Sequence, residues 1–148
     1  EESAEKVVLL TNDLTERVLD EAIANKAKLI ITYHPRPFVS FKKIGRVDTT
    51  QRIVLRCARA GIVVFSPHTA CDNAKGGVND WLAEGFMSLA PGSTTSVIIP
   101  TNKEGMEGCG SGRMVTLGSP VTLSAVIERC KELTKLKHVR VAVTDKVG

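Results

Sequence analysis

The sequence predicts an α/β fold with a mostly parallel sheet. Short β-branched runs alternate with stretches of helical period along the chain. Strand–helix–strand units of this kind form parallel sheets with right-handed crossovers. A length of 148 residues is typical of one domain. Residues 1–148 are therefore expected to form a single domain, in which the Gly-rich stretch 90–112 marks a point of variable insertion.

The first half of the chain predicts three strands and two helices. The strands are the apolar runs at 6–10, 29–32 and 62–65. Asp13, with Glu16 three residues later, predicts a capping box at the start of the first helix. The second helix is expected to begin at Asp48 or Thr49 and to close at Gly61. Prolines and turn residues predict a loop after the second strand.

The second half of the chain predicts helices and strands around less regular segments. A polar loop is expected over 66–77 and a short helix over 78–87. The strand candidates are 96–99, 113–117 and the alternating run 138–144. Pro120 suits the first turn of a last helix, whose apolar residues repeat with helical spacing.

Composition and charge exclude several classes of protein. No apolar run approaches the roughly 20 residues of a membrane span, and the polar, acidic start is unlike a signal peptide. The four cysteines form no C-x-x-C pair, which disfavours zinc ribbons and favours reduced thiols. The net charge of +4 comes with few aromatic residues, so nucleic-acid binding is disfavoured.

Polar side chains follow each of the first three predicted strands. Asp13 follows the first, His34 the second, and His68 and Asp72 the third. Because ligands bind outside the carboxyl ends of parallel strands, these groups are expected to converge at one edge of the sheet. By contrast, the glycines at 108, 110 and 112 lack the Lys-Ser/Thr of a phosphate loop and do not predict nucleotide binding.

Each candidate site residue has a functional and a structural interpretation. His34 suits a metal ligand or a proton donor, or else a histidine bonded to a neighbouring loop. The Asp72 carboxylate could bridge two cations, or form an Asx turn or a helix cap. His68 could orient Asp72, or be an ordinary loop residue.

Three segments of the chain resemble the Nif-three-like family (NGG-one-interacting factor three-like proteins, which include YbgI-type dinuclear metal proteins and GTP cyclohydrolase type 2 homologues). They are LLTNDLT at 9–15, YHPRPF at 33–38 and SPHTACDNAKGGVNDWLA at 66–83. The third is long and specific, and the eukaryotic branch is the closest fit. The chain resembles an internal fragment or a shortened relative, because the family's N-terminal and C-terminal motifs are absent from it.

The resemblance implies a three-layer α/β/α fold, homo-oligomers and a site for two divalent metal ions. The family's His-His-Pro motif falls on Tyr33 and His34, and its bridging aspartate falls on Asp72. Tyr33 is a poorer ligand than the histidine it replaces, because a phenol must first lose a proton. With His34 and Asp72 alone, metal binding is expected to be weak or absent unless His68 or water completes the coordination. Otherwise Tyr33 and His68 are expected to lie beside the ligands and to orient them.

Two functions follow from the resemblance. One is metal-dependent hydrolysis of the GTP cyclohydrolase type, with catalysis doubtful in this chain. The other is a non-catalytic adaptor that binds a protein partner as a transcriptional co-regulator. Neither involves a membrane, and the expected location is the cytoplasm, with the nucleus as the alternative.

Overall fold

The computed structural model describes residues 6–143, which form two compact units divided between Cys71 and Asp72. The elements in chain order are β1 (Val8–Thr11), α1 (Glu16–Ala24), β2 (Leu29–Thr32), α2 (Thr49–Ala60), β3 (Val63–Phe65), α3 (Thr69–Asn73), α4 (Val78–Met87), β4 (Thr94–Pro100), β5 (Gly110–Thr116) and α5 (Leu123–Thr134). None of the helices in this described part has the length and apolar character that crossing a membrane requires. The mixture of helices and strands confirms the predicted α/β class.

The first unit is built on a parallel sheet with strand order β1-β2-β3. Leu9 pairs with Ile30, which pairs in turn with Val64. Ile30 is fully buried, and the core around it takes residues from the connecting helices, among them Leu19 and Ile53. The sequence placed β2 at its observed bounds and the other two strands within two residues, because short apolar runs rich in β-branched residues predict strands.

The caps of α1 and α2 show one wrong and one confirmed prediction. The N-cap of α1 is Thr15, whose hydroxyl accepts a hydrogen bond from the Val18 amide at 3.3 Å. The expected capping box at Asp13 is wrong, because the Asp13 carboxylate is bound to a histidine instead. Asp48 caps α2 as expected, and α2 closes at Gly61 with a φ of 64°.

The second unit contains an antiparallel pair, β4 and β5, in which Val97 pairs with Arg113. The parallel pairing belongs to the first unit, whereas here a short connection without a crossover helix returns the chain antiparallel. Helix α4 has its predicted bounds. The predicted loop over 66–77 is wrong in part, because it contains α3.

Arg113 is the buried charge of the second unit. Its guanidinium donates hydrogen bonds to both oxygens of Asp80 and to the carbonyl oxygens of Gly110 at 2.8 Å and Gly112 at 3.0 Å, with a longer contact to Gly108 at 3.4 Å. A Cβ at Gly110 would lie 2.2 Å from the Ile99 carbonyl oxygen, so only glycine fits there. The carbonyl oxygens of the glycine repeat thus bind the side chain of an arginine.

The end of the described chain departs from two expectations. Helix α5 begins at Leu123 with Thr122 as its N-cap, so Pro120 precedes the helix and does not lie in its first turn. Residues 138–143 are not a strand, and Thr144 lies outside the described residues. Alternation alone forms no strand without a neighbouring edge to pair with, and Val143 remains 65% exposed.

Candidate functional site

The candidate site is built on hydrogen bonds that continue past the ends of β1 and β2. The amide of Tyr33 donates to the Thr11 carbonyl oxygen at 3.0 Å, and the amide of His34 donates to the Asn12 carbonyl oxygen at 3.0 Å. These bonds extend the parallel pairing by two residues beyond the strands. They hold the backbone of His34 beside the segment that follows β1.

Thr32 ties the same two segments together from within the core. It is the buried polar side chain of the first unit, with no exposed surface. Its hydroxyl lies 3.2 Å from the carbonyl oxygen of Asn12 and 3.2 Å from that of His34. Because buried hydroxyls are stable only when they are hydrogen-bonded, this contact favours one arrangement of the His34 backbone.

The side chains of His34 and Asp13 form a direct pair. The Nδ1 atom of His34 lies 2.9 Å from Oδ1 of Asp13, and both side chains are more than half exposed. An ionised carboxylate only accepts hydrogen bonds, so Nδ1 carries the hydrogen. The neutral ring then has its lone pair on Nε2, on the side away from Asp13. The expected convergence of the first two strand ends is therefore confirmed for these two residues.

His68, which follows β3, lies beside Tyr33 and His34. Its ring centroid lies 6.1 Å from that of His34 and 5.6 Å from that of Tyr33. The rings of Tyr33 and His34 meet edge to face at 4.9 Å. His68 has a φ of 48°, a left-handed conformation that non-glycine residues seldom adopt. Whether His68 orients Asp72 or is an ordinary loop residue stays open, because histidine is among the non-glycine residues that adopt this conformation more often.

Phe38 completes the cluster and was not predicted from the sequence. Its ring lies 6.0 Å from that of His68, edge to face, although its side chain is 76% exposed. The sequence carried one signal for it, since Phe38 ends the YHPRPF segment of the family resemblance. We call Asp13, Tyr33, His34, Phe38 and His68 the strand-end cluster.

Asp72 belongs to the other unit. It lies within α3, so it does not cap the N-terminus of that helix. Asp72 already takes part in at least one other interaction. Its expected meeting with His34 stays a prediction, as does its role as a bridging metal ligand. His68 precedes it by four positions in the chain, which leaves the proposed orienting role of His68 equally a prediction.

The strand-end cluster contains the types of side chain that bind a divalent cation, but too few of them to hold one. Imidazole and carboxylate groups are common ligands of transition metals. Within residues 6–143, however, no three His, Cys, Asp or Glu side chains lie together in a way that could hold one ion. A complete coordination sphere would need donors beyond those that the described residues place together. No reaction step through a metal ion follows from this arrangement.

Comparison with known proteins identifies relatives along almost the whole sequence. The family model of Duf34/NIF3 (NGG1p interacting factor 3) matches residues 1–147. A NIF3 homolog of Schizosaccharomyces pombe is 46% identical over 138 residues, which cover 90% of this chain and 49% of that protein. NGG1-interacting factor 3 of Saccharomyces cerevisiae is 31% identical over 141 residues, which cover 95% of this chain and 49% of that protein. The chain thus spans about half the length of these curated relatives.

Two solved structures are similar to this fold. A Bacillus cereus protein related to NIF3 has a TM-score of 0.54 at 40% identity, over 65% of this chain and 25% of that one. A hypothetical protein of Staphylococcus aureus has a TM-score of 0.65 at 21% identity, over 90% of this chain and 54% of that one. The second match shows the fold alone.

Proposed function

The chain belongs to the Duf34/NIF3 family, and from that premise we propose that it contributes His34 as a ligand to a divalent-cation site. One observation carries the proposal, namely the bond between His34 Nδ1 and Asp13 Oδ1 at 2.9 Å. Metal-binding histidines usually donate their second ring N–H to a carboxylate or carbonyl, which fixes the tautomer and strengthens the ligating nitrogen. His34 has this arrangement before any ion binds.

The family resemblance predicts Asp72 as a further ligand, and this part of the proposal rests on the sequence alone. A bound cation keeps water or further donors in its remaining positions, since the described residues supply fewer than three side chains in one place. We therefore expect weak affinity. Hydrolysis of the cyclohydrolase type stays a prediction that the family resemblance alone supports.

The experiment measures Zn²⁺ binding to the 148-residue chain by isothermal titration calorimetry. The variants are His34→Ala, Asp72→Ala and Asp13→Asn. The matched control is His138→Ala, which removes an exposed histidine outside the strand-end cluster. We expect the loss of His34 or Asp72 to weaken binding by about tenfold or more, and Asp13→Asn to weaken it by roughly tenfold. The control is expected to bind as the wild type does.

Two outcomes would contradict the cation site. One is the absence of Zn²⁺ binding by the wild type. The other is equal weakening by His34→Ala and His138→Ala, which would indicate non-specific binding to imidazoles. Circular dichroism of each variant distinguishes a lost ligand from a lost fold, because His34 is half exposed and its removal leaves the core intact.

A second candidate function, the non-catalytic adaptor, is favoured by an uncovered face of the parallel sheet. Val8, Leu10, Val63 and Phe65 alternate along β1 and β3, and each is 47% exposed or more. Parallel sheets normally have both faces covered, so this face suits a protein surface. The relative in Saccharomyces cerevisiae is named as an NGG1-interacting factor.

The adaptor function and homo-oligomerisation can be tested together through this face. Sedimentation velocity compares the wild type with Leu10→Lys, which places a charge at a 73% exposed position, and with Lys28→Glu outside the face. A self-associating face predicts a smaller species for Leu10→Lys alone. An unchanged sedimentation coefficient in both variants would refute self-association through the face.

A further inference from the structure

A groove rich in arginine lies on the first unit, apart from the strand-end cluster. It has a volume of about 760 Å³ and is lined by Arg46, Arg52, Leu55, Arg56 and Arg59. We call it the arginine groove. All of its lining residues except Arg46 lie on α2, where Leu55 and Arg59 are one helical turn apart. Its size is in the range of sites that take a small ligand or a few side chains.

Two of the four guanidinium groups are already neutralised by carboxylates of α1. Arg52 binds both oxygens of Glu16, with Nε–Oε1 at 3.0 Å and Nη2–Oε2 at 3.1 Å. Arg56 Nη2 lies 2.5 Å from Oδ1 of Asp20. The hydrogen bond between Glu16 and Arg52 lowers the pKa of the carboxyl and raises the pKa of the guanidinium, so this pair stays charged.

The other two guanidinium groups are uncompensated. Within residues 6–143, neither Arg46 nor Arg59 forms an ion pair, and both are exposed. Arg52 also donates to the Arg46 carbonyl oxygen at 3.1 Å and to that of Val47 at 2.7 Å, which holds the backbone at this side of the groove. The groove therefore combines an ordered wall with two positive charges that lack partners.

The chemistry of the lining indicates what would bind there. Guanidinium groups bind carboxylates and phosphates in two-pronged pairs. Leu55 is 39% exposed beside Arg59 and offers an aliphatic contact. The lining of the groove contains no aromatic ring on which a base could stack, which disfavours single-stranded nucleic acid. A protein segment that places an acidic residue next to an aliphatic one complements both features.

We propose that the arginine groove binds an acidic protein segment, with carboxylates on Arg46 and Arg59 and an aliphatic side chain against Leu55. This interaction rests on the proposed adaptor function and specifies the type of partner, namely an acidic protein segment. It is independent of the cation site, because it uses none of the residues of the strand-end cluster. It also differs from the uncovered sheet face, whose occupant would be apolar.

The experiment measures binding of a fluorescein-labelled synthetic peptide in which Glu and Leu alternate, by fluorescence anisotropy at low and at physiological ionic strength. A peptide with Gln in place of Glu and a labelled single-stranded DNA oligonucleotide are run beside it. The protein variants are Arg59→Ala and the double variant Arg46→Ala with Arg59→Ala. Arg140→Ala is the matched control, because it removes an exposed arginine outside the groove.

We expect each groove arginine to contribute about threefold to fivefold in Kd, and the double variant to bind the acidic peptide roughly tenfold more weakly. The control should bind like the wild type, and the Gln peptide should bind less tightly than the Glu peptide. Equal loss in the groove variants and in Arg140→Ala would overturn the proposal, as would stronger binding of the oligonucleotide than of the peptide. The cation site is tested separately, since Zn²⁺ affinity is expected to be the same in the groove variants.

Discussion

Asp80→Ala removes the carboxylate that neutralises the most deeply buried charge of the second unit. The Arg113 side chain is 3% exposed and that of Asp80 is 17% exposed. The pair is two-pronged, and Oδ2 of Asp80 also accepts a hydrogen bond from the Gly76 amide at 2.6 Å. The variant leaves the guanidinium without its carboxylate partner and this amide without its acceptor.

The size of the effect follows from burial. Removing one partner of a buried pair typically costs about 3–5 kcal/mol of unfolding free energy, since a charge is left uncompensated. Arg113 keeps two close carbonyl acceptors, at Gly110 and Gly112, which lessens the loss. We therefore expect Asp80→Ala to lower the unfolding free energy of the second unit by about 3 kcal/mol.

Urea unfolding followed by Trp81 fluorescence measures this loss. Trp81 is the single tryptophan of the chain and follows Asp80 in α4, so its signal reports on the second unit. Glu84→Ala is the control, because Glu84 is an exposed carboxylate on the same helix and its removal should change stability by less than about 0.5 kcal/mol. Equal midpoints for the two variants would refute the assignment of a stabilising role to this pair.

The same pair predicts a dependence on pH. The hydrogen bond from Arg113 lowers the pKa of Asp80 below its ordinary value of 3.8. A carboxyl with a lowered folded-state pKa contributes its stability above the unfolded value and loses it as the pH falls through the folded value. The difference between wild type and Asp80→Ala should therefore be complete well above pH 3.8 and shrink below it. A constant difference across this range would contradict the titration.

Two further predictions concern the first unit. Gly61→Ala should lower the unfolding free energy of this unit by about 1 kcal/mol in urea unfolding, because the φ of Gly61 is 64° and a Cβ there would meet no other atom. Gly61→Asn should cost less, because asparagine adopts a left-handed φ more readily than alanine. Equal losses in the two variants would contradict a purely conformational cost. Cys57 is 5% exposed, and burial raises the pKa of its thiol. Iodoacetamide should therefore alkylate Cys57 more slowly than Cys71 in the native protein and equally fast in urea, as followed by mass spectrometry. Equal rates in the native protein would contradict the burial of Cys57.

Much of the local structure was predictable because it depends on neighbours in the sequence. The bounds of β2, α2 and α4 agree with the sequence prediction. Buried parallel strands are apolar runs, an N-cap Asp binds an amide three residues away, and glycine accepts a left-handed φ. The same reasoning placed His34 and Asp13 at neighbouring strand ends, because parallel strands that follow each other along the chain are usually adjacent in the sheet.

The partners of individual polar side chains were decided by the tertiary structure. Asp13 satisfied the pattern of a helix cap, yet its carboxylate binds His34, 21 positions away, and Thr15 caps the helix instead. The role of the glycine repeat at 108–112 depends on Arg113, which binds Asp80, 33 positions away, and the glycine carbonyls. The sequence alone determined most of the strands and helices, because short-range geometry and hydrophobic periodicity depend on residues that are close together in the chain. Only the tertiary structure decided which charged side chains from distant parts of the chain form pairs. These pairs depend on strand register and on packing, which local sequence patterns do not specify.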